Sequence, residues 1–252
     1  MTHSILIIGQ SNMAGRGSLS EASPLNNEDK RLKVLRNGRW QNIFRPVNPD
    51  RSFSGTCLAE SFARAYADEH EGVNVGIIPC ADGGTKIDQW EKGSLLFENA
   101  IFNAKQAMRT SELVAILWHQ GESDCADELY GAYYNKLCAM MKALRDELGA
   151  HNIPLVVGEL GYYLVNSQIE GAENYPRINE ALHRFADNTP LCACVSAEGL
   201  EPKADNLHFN AASLDVFGLR YYEAFKSLED KERVFKSSYD TDDTKRSAIE
   251  QL

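Results

Sequence analysis

The stretch Ile5-Leu6-Ile7-Ile8-Gly9-Gln10-Ser11-Asn12-Met13-Ala14-Gly15 decides how the rest of the chain is read. Four consecutive apolar residues, three of them β-branched, describe a strand buried on both faces. The run stops at a glycine and a small polar loop. Such a loop lies at the carboxyl edge of a sheet, where open α/β folds place their chemistry. A serine after a glycine at a strand end is more often a turn or helix-cap residue than a nucleophile. Ser11 therefore gains a chemical role only if other loops on the same edge supply a base and hydrogen-bond donors.

Outward from this stretch the pattern recurs. Val73 to Cys80, Leu113 to Trp118, Pro154 to Leu160 and Leu191 to Ser196 read as further strands. Between and after them, helical spacing runs over about 56–70, 96–109, 127–148, 176–186 and 211–228. Gly149 is placed to end the third of these helices, and Asn210 to cap the last. Crossovers of this length imply parallel pairing, hence a three-layer α/β/α sandwich on a five-stranded parallel sheet, with one domain over 1–228. Residues 32–43 read as a hairpin about Asn37-Gly38, where a doubly wound fold places its first crossover helix. Residues 16–54 are thus expected to be an insertion over the carboxyl edge, walling the site. Residues 229–252 are strongly charged and read as a solvated tail or a terminal helix that needs a partner surface.

Bulk properties narrow the function classes. The 252-residue chain is 43% hydrophobic and 25% charged, as soluble globular proteins are. A net charge of −10 argues against nucleic acid or an anionic membrane as the main partner. No apolar run approaches the ~20 residues of a membrane span, and the N-terminus lacks the basic and apolar regions of a signal peptide, so a cytoplasmic location is expected. The six cysteines form no Cys-x-x-Cys pair and no disulfide framework. No His-Glu-x-x-His or comparable ligand spacing is present, and neither metal nor cofactor is expected. The Ser11 loop also lacks the Gly-Lys-Ser/Thr of a P-loop and the Gly-x-Ser-x-Gly of α/β-hydrolases.

Four loops fall on the edge that carries Ser11. Three follow the first three strands: Gly9-Gln10-Ser11-Asn12, Asp82-Gly83-Gly84-Thr85 and Gln120-Gly121-Glu122-Ser123-Asp124. The fourth, Asp205-Asn206-Leu207-His208, follows the last strand. Together they hold what acyl transfer needs. Ser11 can attack a carbonyl if a base takes its proton. His208 suits that role, since an unperturbed imidazole titrates near pH ~6.5. Asp205 can hold the ring by its other nitrogen. The Ser11 N–H, a Gly84 N–H and the Gln120 amide can face the oxyanion. His119 follows a buried strand and reads as a packed core residue.

The four blocks resemble the SGNH (GDSL-like) hydrolase superfamily, in the branch of sialate O-acetylesterase-like proteins and carbohydrate esterase family 6. Gly9-Gln10-Ser11-Asn12-Met13-Ala14-Gly15 is similar to its first block, Gly83-Gly84-Thr85 with Trp90 to its second, and Trp118-His119-Gln120-Gly121-Glu122-Ser123-Asp124 to its third. Asp205-Asn206-Leu207-His208 is similar to the last. The resemblance implies a flavodoxin-like sheet and a cofactor-independent serine esterase that removes acetyl groups from carbohydrate, with acetylated xylooligosaccharides or sialic acids as substrates. It implies Ser11 as nucleophile, His208 as base, Asp205 as its orienting acid, and Ser11, Gly84 and Gln120 as the oxyanion hole. Glu122 stands as a second acid that can share or replace the role of Asp205, and Gly83 as an alternative to Gly84. The rival functions are a lipid or thioester hydrolase of the same superfamily and a non-catalytic carbohydrate-binding protein.

Overall fold

The computed structural model describes residues 1–25 and 29–229. Its first strand, β1 (Thr2–Gly9), is the axis of the fold. A four-residue helical turn, α1 (Ser11–Ala14), follows it directly. The remaining strands are β2 (Leu32–Arg36), β3 (Arg39–Asn42), β4 (Asn74–Pro79), β5 (Glu112–His119), β6 (Leu155–Gly158) and β7 (Cys192–Val195). The longer helices are α2 (Leu58–Glu69), α3 (Leu95–Ala107), α4 (Tyr130–Leu148), α5 (Tyr175–Asp187) and α6 (211–229). The sheet runs β3-β2-β4-β1-β5-β6-β7, and every pair is parallel except β2 with β3.

Ile5 to Ile8 are completely buried, and strand alternation divides them between two cores. Ile5 and Ile7 face α2 and α6, where Phe62 and Tyr66 pack on Tyr222 and Phe225. Leu6 and Ile8 face α3, α4 and α5 through Phe97, Leu137, Met141, Ile178 and Leu182. Two helices, a sheet and three helices make the three layers. Each of these four side chains contributes about 1.5–3 kcal/mol by leaving water, so the apolar run specifies the centre of the sheet.

The hairpin departs from expectation. Its turn is as read, with Asn37 at φ 50° and Gly38 at φ 71°. It does not lie over the carboxyl edge, because β2 pairs parallel with β4 and extends the sheet to seven strands. The reason lies in β2 itself, whose Leu32, Val34 and Leu35 are buried between the layers. The order of the five expected strands, β4-β1-β5-β6-β7, is the flavodoxin-like one. The chain leaves β1 for β4 on one side and reaches β5 on the other, so the strand order reverses beside β1. The register sets Gly9 level with His119 and Ile7 level with Pro79, which brings three strand ends to one crevice. No described helix is long and apolar enough to cross a membrane. Residues 230–252, most of the charged C-terminal segment, lie outside the described residues.

Candidate active site

The Gln10 N–H donates to the His119 carbonyl at 2.9 Å, pinning the end of β1 to that of β5. The chain then turns into α1, with Ser11 as its first residue and Gly15 N–H closing on the Ser11 carbonyl at 2.8 Å. This tight turn presents the Ser11 side chain at the floor of a cavity of about 390 Å³.

The loop after β7 brings the base to it. Lys203 N–H donates to the His208 carbonyl at 2.7 Å, and Asn210 N–H to the Glu201 carbonyl at 3.0 Å. Asn210 Oδ1 then accepts from Ser213 N–H at 2.8 Å and starts α6, as an N-cap should. The loop folds back over β1 and sets His208 Nε2 3.0 Å from Ser11 Oγ. His208 Nδ1 lies 2.8 Å from Asp205 Oδ2. Asp205 Oδ1 accepts from the N–H groups of Leu207 at 3.0 Å and His208 at 2.9 Å. Burial, the largest single influence, works to raise the Asp205 carboxyl. The hydrogen bonds from the His208 ring and from both N–H groups outweigh it and hold the group below the usual carboxylate range. The acid stays ionised and the ring stays aimed.

The two adjacent glycines divide their tasks. Gly83 N–H is taken by Asp50 Oδ2 at 2.9 Å, and a Cβ there would meet Arg16 at 2.4 Å and the Ser11 Cβ at 3.3 Å. Gly84 is exposed, at φ 77°, with open space where a Cβ would stand. Among the described residues its N–H and that of Ser11 donate to no backbone carbonyl. Of the two, Gly84 is the one whose N–H is left for a ligand.

The loop after β5 is arranged otherwise than the sequence suggests. Gln120 is completely buried, and its Nε2 donates to the Thr85 carbonyl at 2.9 Å and to Asp124 Oδ2 at 2.5 Å. Its amide is thus turned away from the cavity, with both N–H groups spent. Asp124 also accepts from Ile87 N–H at 3.0 Å, and burial pushes its carboxyl up to about 6 against these donors. Glu122 does not reach His208 either, since its Oε1 accepts from Asn12 Nδ2 at 2.6 Å. Asp205 is the acid on the imidazole. His119 is core, as its position implied: its Nε2 meets the Glu159 carbonyl at 3.1 Å and burial lowers its pKa.

A sequence profile of the carbohydrate esterases described as sialic acid-specific acetylesterases matches residues 1–227. The chain belongs to this family. It is accordingly a carbohydrate esterase, a hydrolase of carboxylic esters. It is 29% identical over 248 residues to the probable carbohydrate esterase At4g34215 of Arabidopsis thaliana, covering 88% of this chain and 89% of that protein. The X-ray structure of the Arabidopsis thaliana protein AT4G34215 superposes with a TM-score of 0.78 at 28% identity, over 89% of this chain and 98% of that one. A carbohydrate acetylesterase from Xanthomonas citri shares the fold, with a TM-score of 0.67 at 20% identity, over 89% of this chain and 56% of that chain.

Several features of the esterase site carry no sequence signal. Arg16 and Asp50 form a buried bidentate pair at 2.9 and 2.6 Å, 34 residues apart, with Phe53 stacked over the guanidinium at 5.3 Å. Arg51 donates to Asp82 at 2.7 Å and to the Gly83 carbonyl at 2.9 Å. The segment before α2 thus walls the cavity through these residues, while the hairpin lies in the sheet. Gln10 also lines the cavity. Its Oε1 faces Gln120 Nε2 at 3.3 Å and the N–H groups of Gly121 and Ser123 at 3.4 Å, which leaves its own nitrogen for the cavity. Among the described residues no group of three or more His, Cys, Asp or Glu side chains is placed to hold a metal ion.

Proposed function

We propose that this esterase removes O-acetyl groups from saccharides through an acetyl-enzyme on Ser11. The observation that carries the reading is the line Ser11–His208–Asp205, at 3.0 and 2.8 Å, opening into a cavity. With Nδ1–H donating a hydrogen bond to the Asp205 carboxylate, the Nε2 lone pair of His208 faces Ser11 Oγ and takes its proton as the oxygen attacks the acetyl carbonyl. The oxyanion sits between the N–H groups of Ser11 and Gly84, with the Gln10 carboxamide as third donor in the place first assigned to Gln120. Collapse returns the proton from His208 to the departing sugar oxygen and leaves acetyl-Ser11. Water, deprotonated by the same imidazole, then attacks the acetyl carbon and releases acetate and Ser11.

The cavity pairs charged groups with an apolar side made by Phe53, Ile169 and Leu207, which suits the face of a sugar ring and the acetyl methyl. Arg51, Lys86 and Glu170 line it, and charges of this kind suit hydroxyl and carboxylate groups. The family description, sialic acid-specific acetylesterase, puts the sialic acid type first and the acetylated xylooligosaccharide second, and Lys86 and Arg51 on the cavity wall can meet a sugar carboxylate. The test is acetate release from a panel of O-acetylated sialic acids, acetylated xylooligosaccharides and simple acetate and long-chain esters, with Ser11→Ala as control. Saccharide turnover that needs Ser11 supports the reading. Preference for long-chain esters, or turnover without Ser11, contradicts it.

A further inference from the structure

We propose that Asn12 and Glu122 are positioning residues that hold His208 in register with Ser11, an inference that rests on His208 being the base. His208 stands on a loop, and a base on a loop is only as well placed as the loop's attachments. Asn12 supplies the one that reaches back to the turn carrying Ser11. Its Nδ2 donates to the Leu207 carbonyl at 3.2 Å and its Oδ1 accepts from the Phe209 N–H at 3.1 Å, so one carboxamide grips the chain on both sides of His208. The second Nδ2 proton goes to Glu122 Oε1 at 2.6 Å. Both side chains are about 1% exposed, so water does not compete for these bonds.

The role of Glu122 follows from what it can accept. Its Oε1, which also lies 3.7 Å from His119 Nδ1, accepts at 2.6 Å from Asn12 and so favours the nitrogen end of the amide on that side. A flipped Asn12 would set its oxygen against Glu122 and the Leu207 carbonyl, and its nitrogen against the Phe209 N–H. Glu122 therefore reinforces the orientation of Asn12 that the Leu207 carbonyl and the Phe209 N–H require. Asn12 is also the neighbour of Ser11 within α1, so nucleophile and base hang from a single turn. The Phe209 ring, packed against Tyr163 at 5.3 Å and Phe217 at 5.1 Å, anchors the loop from below. Glu122 thus acts on the histidine through Asn12 and the peptide groups at 207–209, without touching the ring.

The test uses Asn12→Ala, Glu122→Ala, Glu122→Gln and the double alanine variant of the full chain, assayed on an activated acetate ester beside Ser11→Ala. Asn12→Ala and Glu122→Ala each lower kcat by roughly 10- to 100-fold with KM little changed, the cost of a misplaced catalytic group. The double variant is no worse than the stronger single one, as for residues acting through one contact. Glu122→Gln, which keeps an acceptor without the charge, recovers most of the Glu122→Ala loss and leaves the acid limb of kcat/KM in place. Amide exchange at Phe209 speeds up in both alanine variants and not in Glu122→Gln. Multiplicative losses overturn the proposal, as does a Glu122→Gln variant as impaired as Glu122→Ala with a displaced acid limb. If Asn12→Ala fails to fold, the comparison of the two Glu122 variants decides. Turnover that survives Ser11→Ala overturns the esterase mechanism instead, and Phe209 exchange still decides the clip.

Discussion

The loop over residues 200–210 leaves the Asp205 side chain 42% exposed, while Glu122 and Asp124 on the loop after β5 are about 1% exposed. Both loops sit on the same sheet edge, and both carry acids within a few residues of a histidine or an amide. Their environments separate them. Asp205 is half open but collects three donors, so it is held ionised beside an imidazole that itself reaches the cavity. Asp124 is sealed in and loses more to burial than its donors return, so its carboxyl rises to about 6. In the proposed mechanism the first loop carries the base and its acid, and the second braces them.

That contrast can be broken at graded cost. Ser11→Ala and His208→Ala should each lower kcat/KM on an acetate ester by roughly 10³-fold or more, with the melting temperature retained. Asp205→Asn should cost about 10²–10⁴-fold, since it changes the tautomer that the ring prefers. A loss under tenfold would make the outer loop no more important than the inner one. The folded Asp205 carboxyl is depressed, so its support for the ring is present at neutral pH and is lost only as pH falls through that depressed value. In Asp205→Asn this part of the acid-side loss should vanish.

Next in size are the two amides. Gln10→Ala should cut kcat by roughly 10²–10³-fold if its nitrogen faces the oxyanion, with little change in melting temperature. Gln120→Ala should act mainly on stability, because it takes one buried donor from the Thr85 carbonyl and one of two from Asp124. Steady-state kinetics and thermal melting of both variants separate the roles, and the reverse pattern would return Gln120 to the oxyanion hole.

The smallest effect belongs to Asp124. Its folded pKa lies above the unfolded carboxylate value, so the native state binds the extra proton between about pH 4 and 6. The wild type therefore loses stability as pH rises through that window. Asp124→Asn carries no such penalty, and its stability relative to the wild type should rise by on the order of 2–3 kcal/mol between pH 4 and pH 7. Denaturant melts at the two pH values check this, and a pH-independent difference would mean that burial does not strain Asp124.

Much of this was legible in the sequence for a physical reason. Ile5 to Ile8 are central because only a strand covered on both faces is uniformly apolar, and the crossovers after it are long enough only for parallel pairing. The four polar loops then fall on one edge by topology. Orientation was not legible. Gln120 and Gln10 are both amides on that edge, and no pattern tells which one turns inward, because partners such as Thr85 and Asp124 are chosen by packing. The hairpin misleads for a similar reason: Asn37-Gly38 reports a turn, and the pairing of β2 with β4 depends on a strand some 40 residues away. The Arg16–Asp50 pair has no local signature at all.

Trapping the acetyl-enzyme tests Ser11 as the nucleophile most directly. An activated acetate ester is mixed with the enzyme, quenched within one turnover, and digested for mass spectrometry of the peptide that carries residues 5–15. One acetyl group is expected on Ser11, reduced in His208→Ala and absent in Ser11→Ala. Full turnover with no acetyl on Ser11, or acetyl on another residue that is competent to release acetate, would contradict that role.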